Sequence, residues 1–148
     1  MSVKVAANGS VKAEFESYVK RELRGLKDVE IVETSPDFSL SFVVVQALTK
    51  EGTDTGYAIS ELVTSPVTSE AYQSMFKGKL SEEELAWLRK TADSAVYIER
   101  QKIQTCDSGG LKSTCEKLVA EFDTDELESS RKLHREIHEI TGRQPKKP

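Results

Sequence analysis

Cys106 and Cys115 are the two side chains in this sequence best able to form a covalent bond with each other. Between them runs Asp107-Ser108-Gly109-Gly110-Leu111-Lys112-Ser113-Thr114, a turn rich in Asp, Ser and Gly that leads into a helix. Such a turn can bring two Cβ atoms to disulfide distance. The spacing therefore predicts a Cys106–Cys115 disulfide pinning the end of a strand to a helix, worth roughly 2–3 kcal/mol on loop-entropy grounds. An oxidising, exported location would be its corollary. The alternative is a core thiol at Cys115 and an incidental one at Cys106. The pair is too far apart for a redox C-x-x-C, and two cysteines alone do not make a structural zinc site, which wants four ligands.

The same segment invites a phosphate-loop reading, because Gly109-Gly110-Leu111-Lys112-Ser113-Thr114 joins a strand to a helix. That chemistry needs Lys directly after Gly, so that backbone amides and the ammonium converge on one phosphate. Leu111 intervenes, so an ordinary helix start accounts for these residues. His134 and His138 stand four apart on a helical stretch and could face one metal ion, with a third ligand from elsewhere. The order is not His-Glu-x-x-His, and a solvated helix face explains both, so no metal is expected. Glu82-Glu83-Glu84 and Asp123, Asp125 and Glu126 sit where negative charge complements a helix start. Gly-x-Ser-x-Gly is absent, and Trp87 and Tyr97 read as core or edge aromatics. Neither a catalytic residue nor a cofactor is expected, which leans against an enzyme.

These residues are carried by a chain of 148 residues, the length of one domain. Charged residues make up 31% and the net charge is −4. A nucleic-acid partner would demand a basic field, and the basic cluster Arg143, Lys146 and Lys147 is confined to the end, so nucleic acid is not expected. No apolar run approaches the roughly 18 residues of a membrane span. Met1-Ser2-Val3 lacks the basic and apolar regions of a signal peptide. Two localisations stand: cytoplasmic, or periplasmic or secreted with a leader removed.

The positioning elements follow from periodicity. Val3 and Val5 alternate with polar neighbours in a short strand. Ser10 occupies an N-cap position before Val11, Phe15, Tyr18, Val19, Leu23 and Leu26, one face of a helix over about 11–26. Val29, Ile31 and Val32 read as a strand. Phe38, Leu40, Phe42, Val44 and Leu48 alternate along a second, Glu51 to Gly56 supply a turn, and Tyr57 to Val63 return as its hairpin partner. The polar side of this hairpin carries Ser39, Ser41, Ala58 and Ser60, with nothing that titrates. Val43, Val45 and Ala47 make it apolar enough to be covered, by later helices or by another subunit.

A helix is predicted over Ser69 to Phe76, and Ser81 with Glu84 forms a capping box for another reaching about Ala92. Ala95 to Gln104 reads as an edge strand with Val96 and Ile98 apolar and Glu99, Arg100 and Lys102 solvated. Leu111, Cys115, Leu118, Val119 and Phe122 form a clean helical stripe. Asp123 with Glu126 resembles a second cap, so that helix is expected to break and resume, with Leu127, Leu133, Ile137 and Ile140 continuing to Gly142. The expected order is β-α-β-β-β-α-α-β-α-α. It specifies an α/β (α+β) two-layer sandwich: a mixed, mostly antiparallel sheet with a central hairpin, packed by helices and ending in a long C-terminal helix. Residues 1–142 form one domain and 143–148 a disordered tail.

One stretch resembles known families. Tyr18, Leu23 and Leu26 on a helix, then Asp28-Val29-Glu30-Ile31-Val32, then Pro36-Asp37-Phe38-Ser39-Leu40 opening a long strand, look like small exported bacterial α/β domains. The pattern is similar, more distantly, to the N-terminal domain of TolB and to curli-secretion lipoproteins of the CsgG type. It covers about a quarter of the chain and brings neither propeller nor pore-forming segment. The resemblance implies a periplasmic or secreted interaction module, with a protein or envelope partner and no catalytic residue carried over. The C-terminal helix, with Leu133, Ile137 and Ile140 apolar, is expected to serve homo-oligomerisation. The alternative is a cytoplasmic small-molecule-binding domain or enzyme with a pocket between sheet and helices.

Overall fold

The computed structural model describes residues 1–67, 80–92 and 95–141, and within the last helix the side chains of residues 137, 138, 140 and 141 are not described. The elements are β1 (Ser2–Ala6), α1 (Gly9–Gly25), β2 (Ser39–Leu48), β3 (Asp54–Pro66), α2 (Glu82–Ala92), β4 (Val96–Cys106), α3 (Leu111–Phe122), a π-helical turn (Asp123–Leu127) and α4 (Glu128–Thr141). The four strands lie in the order β1-β2-β3-β4, with β1 parallel to β2 and the other pairs antiparallel. This is the expected two-layer α+β sandwich with a mixed, mostly antiparallel sheet around a hairpin and a long C-terminal helix.

One side of the sheet holds the core. Phe15, Val19 and Leu23 of α1 and Leu111, Cys115, Leu118, Val119 and Phe122 of α3 bury their stripes against Leu40, Phe42 and Val44 of β2 and Tyr57, Ile59 and Val63 of β3. Phe15 meets Phe42 edge-on with centroids 5.1 Å apart, and Phe38 meets Phe122 at 5.6 Å. Both are tilted contacts of the kind that aromatic quadrupoles favour.

Several local expectations give way. Helix α1 starts at Gly9, which has a positive φ of 53°, and Asn8 at its N-cap makes no side-chain capping bond, so Ser10 is not the cap. Val29, Ile31 and Val32 are not a strand. The Met1 ammonium donates to the Glu30 carbonyl and the Val32 N–H to the Met1 carbonyl, both at 2.7 Å, so the segment hangs on Met1, just ahead of β1, and joins no strand. Val29 and Ile31 pack against the core without a ladder. The Ser81–Glu84 capping box does form: the Ser81 N–H donates to Glu84 at 2.7 Å and the Glu84 N–H to Ser81 Oγ at 3.3 Å. Trp87, expected in the core or at an edge, lies on the solvent side of α2 at 66% exposure. The expected helix over Ser69 to Phe76 and the tail over 143–148 lie outside the described residues.

The hairpin turn hangs on Thr49, whose Oγ accepts from the Glu51 and Thr53 amides. Gly56, two residues into β3, is the most tightly enclosed of the described glycines. Its φ is +129°, and a Cβ there would lie 2.0 Å from the Cys106 carbonyl oxygen on β4. Gly25 at the end of α1 has open space around it. Gly56→Ala is expected to lower stability by at least about 3 kcal/mol, whereas Gly25→Ala raises it by up to about 1 kcal/mol through the unfolded state and helix propensity. Urea denaturation of the two variants beside the parent checks both signs.

Candidate functional site

Edge strand β4 inverts the expected pattern. Its charged residues point to the helix layer, while its apolar residues face outward: Ile98 and Ile103 are 66% and 71% exposed. The register explains the inward set, because Lys102 lies opposite Glu61 and Arg100 opposite Val63 on the inner face of β3. Glu61 is 1% exposed, a carboxylate inside the core. Arg100 Nη2 donates to Glu61 Oε1 at 3.0 Å, and its Nη1 to Asp125 of the π turn at 3.2 Å. Lys102 Nζ pairs with Glu121 of α3 at 2.6 Å. A bulge then accommodates Glu99 between the positions facing Val63 and Thr64, where it accepts a hydrogen bond from Ser65 Oγ.

Electrostatics in this corner divide by burial. Burial pushes the Glu61 carboxyl above the usual range, and the Arg100 charge and hydrogen bond only partly oppose it. Glu126 is likewise raised by burial. Glu121, more exposed, is lowered, first by the hydrogen bond from Lys102. Glu61 Oε2, Arg100 Nε and Gln104 Nε2 are buried without a hydrogen-bond partner. The sequence offered a clue, since Glu61 falls in phase with Ile59 and Val63. Attention to the hairpin's other face, where nothing titrates, missed it.

The helix does not break at Asp123. It passes through the π turn, in which the Glu128 N–H bonds the Asp123 carbonyl, and the backbone stays helical at Asp123 (φ −59°, ψ −45°). Arg131 holds the outer side. It grips Asp28 with two 2.6 Å hydrogen bonds and reaches Asp123 at 2.7 Å, tying the start of α4 to the loop after α1. The bond from Arg131 lowers the Asp28 pKa.

The residues singled out by chemistry come apart. Cys106 and Cys115 are both free thiols, so the expected disulfide is absent from the structure. Cys115 is wholly buried on the core stripe of α3, while Cys106, at the end of β4, only packs against that core from its margin. Burial pushes the Cys115 thiol up to about 12. In the Gly-rich turn, Gly110 donates to the Asp107 carbonyl and Ser113 Oγ to the Gly110 carbonyl, while Lys112 reaches toward Glu116. The turn spends its polar groups on starting α3. His134 is exposed, the side chain of His138 is outside the description, and among the described residues no cluster of three or more His, Cys, Asp or Glu could hold a metal ion.

The outer face of the sheet is the largest feature left over. Register aligns Ala6, Val43, Ser60 and Ile103 in one row across all four strands. The next row is Val45, Ala58 and Thr105, and on the other side lie Ser41, Leu62 and Gln101 with Lys4 at the margin. Val43 and Val45 are half exposed or more. Among the described residues no helix is long and apolar enough to cross a membrane. Comparison with protein-family models finds no match, and comparison with curated proteins finds no relative.

Two predictions test the site. With thiol reagent, the native protein is expected to titrate Cys106 alone, with Cys115 reacting only after denaturation; zero reactive thiols after denaturation without reductant would restore the disulfide. Arg100→Met leaves an unpaired buried carboxylate and is expected to cost about 3–5 kcal/mol at pH 7, with most of that loss recovered in the Glu61→Gln/Arg100→Met double variant. The sign with pH follows from the raised carboxyl. Protonating Glu61 favours the folded state below its unfolded pKa of about 4.3, and that gain is lost as pH rises through the folded value. The penalty of Arg100→Met relative to the parent therefore shrinks on acidification, read by denaturation at each pH.

Proposed function

We propose that this chain is a non-catalytic interaction module of the small exported α/β kind, which docks a protein or envelope partner through the outer face of its sheet. The observation that carries this reading is the row through Val43 and Ile103, at 50% and 71% exposure in strands whose other face turns to the helix layer. Apolar side chains aligned across a sheet and left in water are the usual mark of a surface with a partner. Among the described residues that the register places in these rows, Lys4 alone is charged, in a chain that is 31% charged, and depletion of charge is what distinguishes the centre of an interface. Export, with a periplasmic or secreted location, rests on the resemblance to the TolB N-terminal domain and CsgG-type lipoproteins; the two unbonded thiols lend it no support.

A second reading, a cytoplasmic small-molecule-binding domain or enzyme with its site between sheet and helices, has one observation in its favour. Glu61, Arg100 and Gln104 each keep a buried polar atom unpartnered there. A photo-crosslinking side chain at position 43, compared with one at Lys112 on the exposed side of α3, separates the two. Docking through the sheet gives discrete adducts from position 43 and none from 112, in cells producing the full chain. Absence of adducts at 43 would overturn the reading.

A further inference from the structure

Helix α4 leaves the packed part of the molecule soon after it begins. None of its described side chains is buried, and Lys132, Leu133, His134, Arg135 and Glu136 are exposed in succession. Such a run passes once round a helix of about 3.6 residues per turn, so solvent reaches every side of it there. Among the described residues, α4 packs against the π turn that it continues. The last buried residue before it is Leu127.

A helix without packing has to stand on propensity and on its own side-chain pairs. In water that is marginal for segments of about 12–15 residues, and α4 has 14. Ser129, Ser130, His134 and His138 are middling helix formers. Its internal ion pairs, Glu128 with Arg131 and Arg135 and Lys132 with Glu136, are exposed and of small worth. Continuity with α3 spares α4 the cost of a helical nucleus, yet adds nothing to the propagation of each further residue.

One tie reaches outside this continuous helix. Arg131 Nε and Nη2 donate to the two carboxylate oxygens of Asp28, both at 2.6 Å. This fork fixes the guanidinium through two contacts at once. The third nitrogen meets Asp123 in the π turn at 2.7 Å. The Arg131 and Asp28 side chains are 26% and 49% exposed, so dissolved ions reach this pair as they do not reach the buried Glu61.

We infer that the Arg131–Asp28 pair is a latch on the C-terminal helix: closed, it fixes α4 to the domain as far as residue 131; open, it lets helical order retreat to Leu127. Beyond Arg131 the backbone exchanges between helical and open states, held by its own propensity and exposed ion pairs. Ionic strength sets how far the latch is closed. Helix α3, held by its buried stripe and overlaid on the Arg100–Glu61 pair, does not take part.

Backbone carbon shifts of the full chain test this residue by residue, because they report the helical population at each position. In the parent at about 50 mM salt, that population is expected to be close to complete through Arg131 and to fall from Lys132 onward. Asp28→Asn is expected to lower the helical-to-open ratio at Glu128–Arg131 about fivefold and to leave Leu111–Phe122 unchanged. Arg131→Gln gives the same retreat from the other side of the pair. Raising salt to about 1 M moves the parent toward the Asp28→Asn pattern. Arg135→Met, which removes a bond within α4 only, keeps the boundary at Arg131. A parent helical without loss through Glu136 overturns the inference, as does one already open at Glu128. So does a boundary that stays at Arg131 in both Asp28→Asn and Arg131→Gln, that ignores salt, or that Arg135→Met displaces as far.

Discussion

Both helices that build the core lie on the same side of the sheet, and the rest of the molecule follows from that. The parallel β1–β2 pair requires a crossover, and α1 supplies it while laying Phe15, Val19 and Leu23 on one face. Helix α3 returns from the opposite edge to pack beside α1. The apolar stripes of these two helices are thereby consumed on one face. Apart from the row with Lys4, Leu62 and Gln101, the other face is left to small and β-branched residues, and the alternation of strand side chains makes their outward direction unavoidable.

One-sided cover also accounts for strand β4. An edge strand under the flank of α3 meets that helix's polar border, where Glu121 and the π turn's Asp125 await cations. Lys102 and Arg100 therefore turn inward, which forces their alternating neighbours Ile103 and Gln101 outward. The cost falls on Glu61. Arg100 hydrogen-bonds it inside the core and the Lys102 charge lies opposite, yet one oxygen stays unsatisfied. A charge pair of this kind adds little net stability over an apolar pair, yet is costly to break from one side. It lies on the buried face of β4, in a strand whose Ile98 and Ile103 face outward.

Much of the architecture was legible because its signals are local. The stripe Leu111, Cys115, Leu118, Val119 and Phe122 needs only helical period to be read, and the Ser81–Glu84 box only three residues of spacing. The strand at Val29 to Val32 failed because a strand is defined by its partner, and only Met1 is available to it. Solvation of Arg100 and Lys102 failed for a related reason. Charge suggests solvent unless a counter-ion waits twenty or so residues further on, and sequence proximity says nothing of that. Of the candidate site, the apolar character of Val43 and Val45 could be read directly, but their alignment with Ile103 depends on a register set between strands far apart in the chain.

The sequence by itself determined the element types, the α+β class and the uncharged second face of the hairpin, because propensity and period act within a few residues. Tertiary structure alone decided that Glu61 is buried, that Cys106 and Cys115 remain apart and that the Gly-rich turn serves a helix start. It also decided that Val43 and Ile103 share one open row. Each of these is a contact between segments distant in the chain, and its sign depends on which face of the sheet the helices cover.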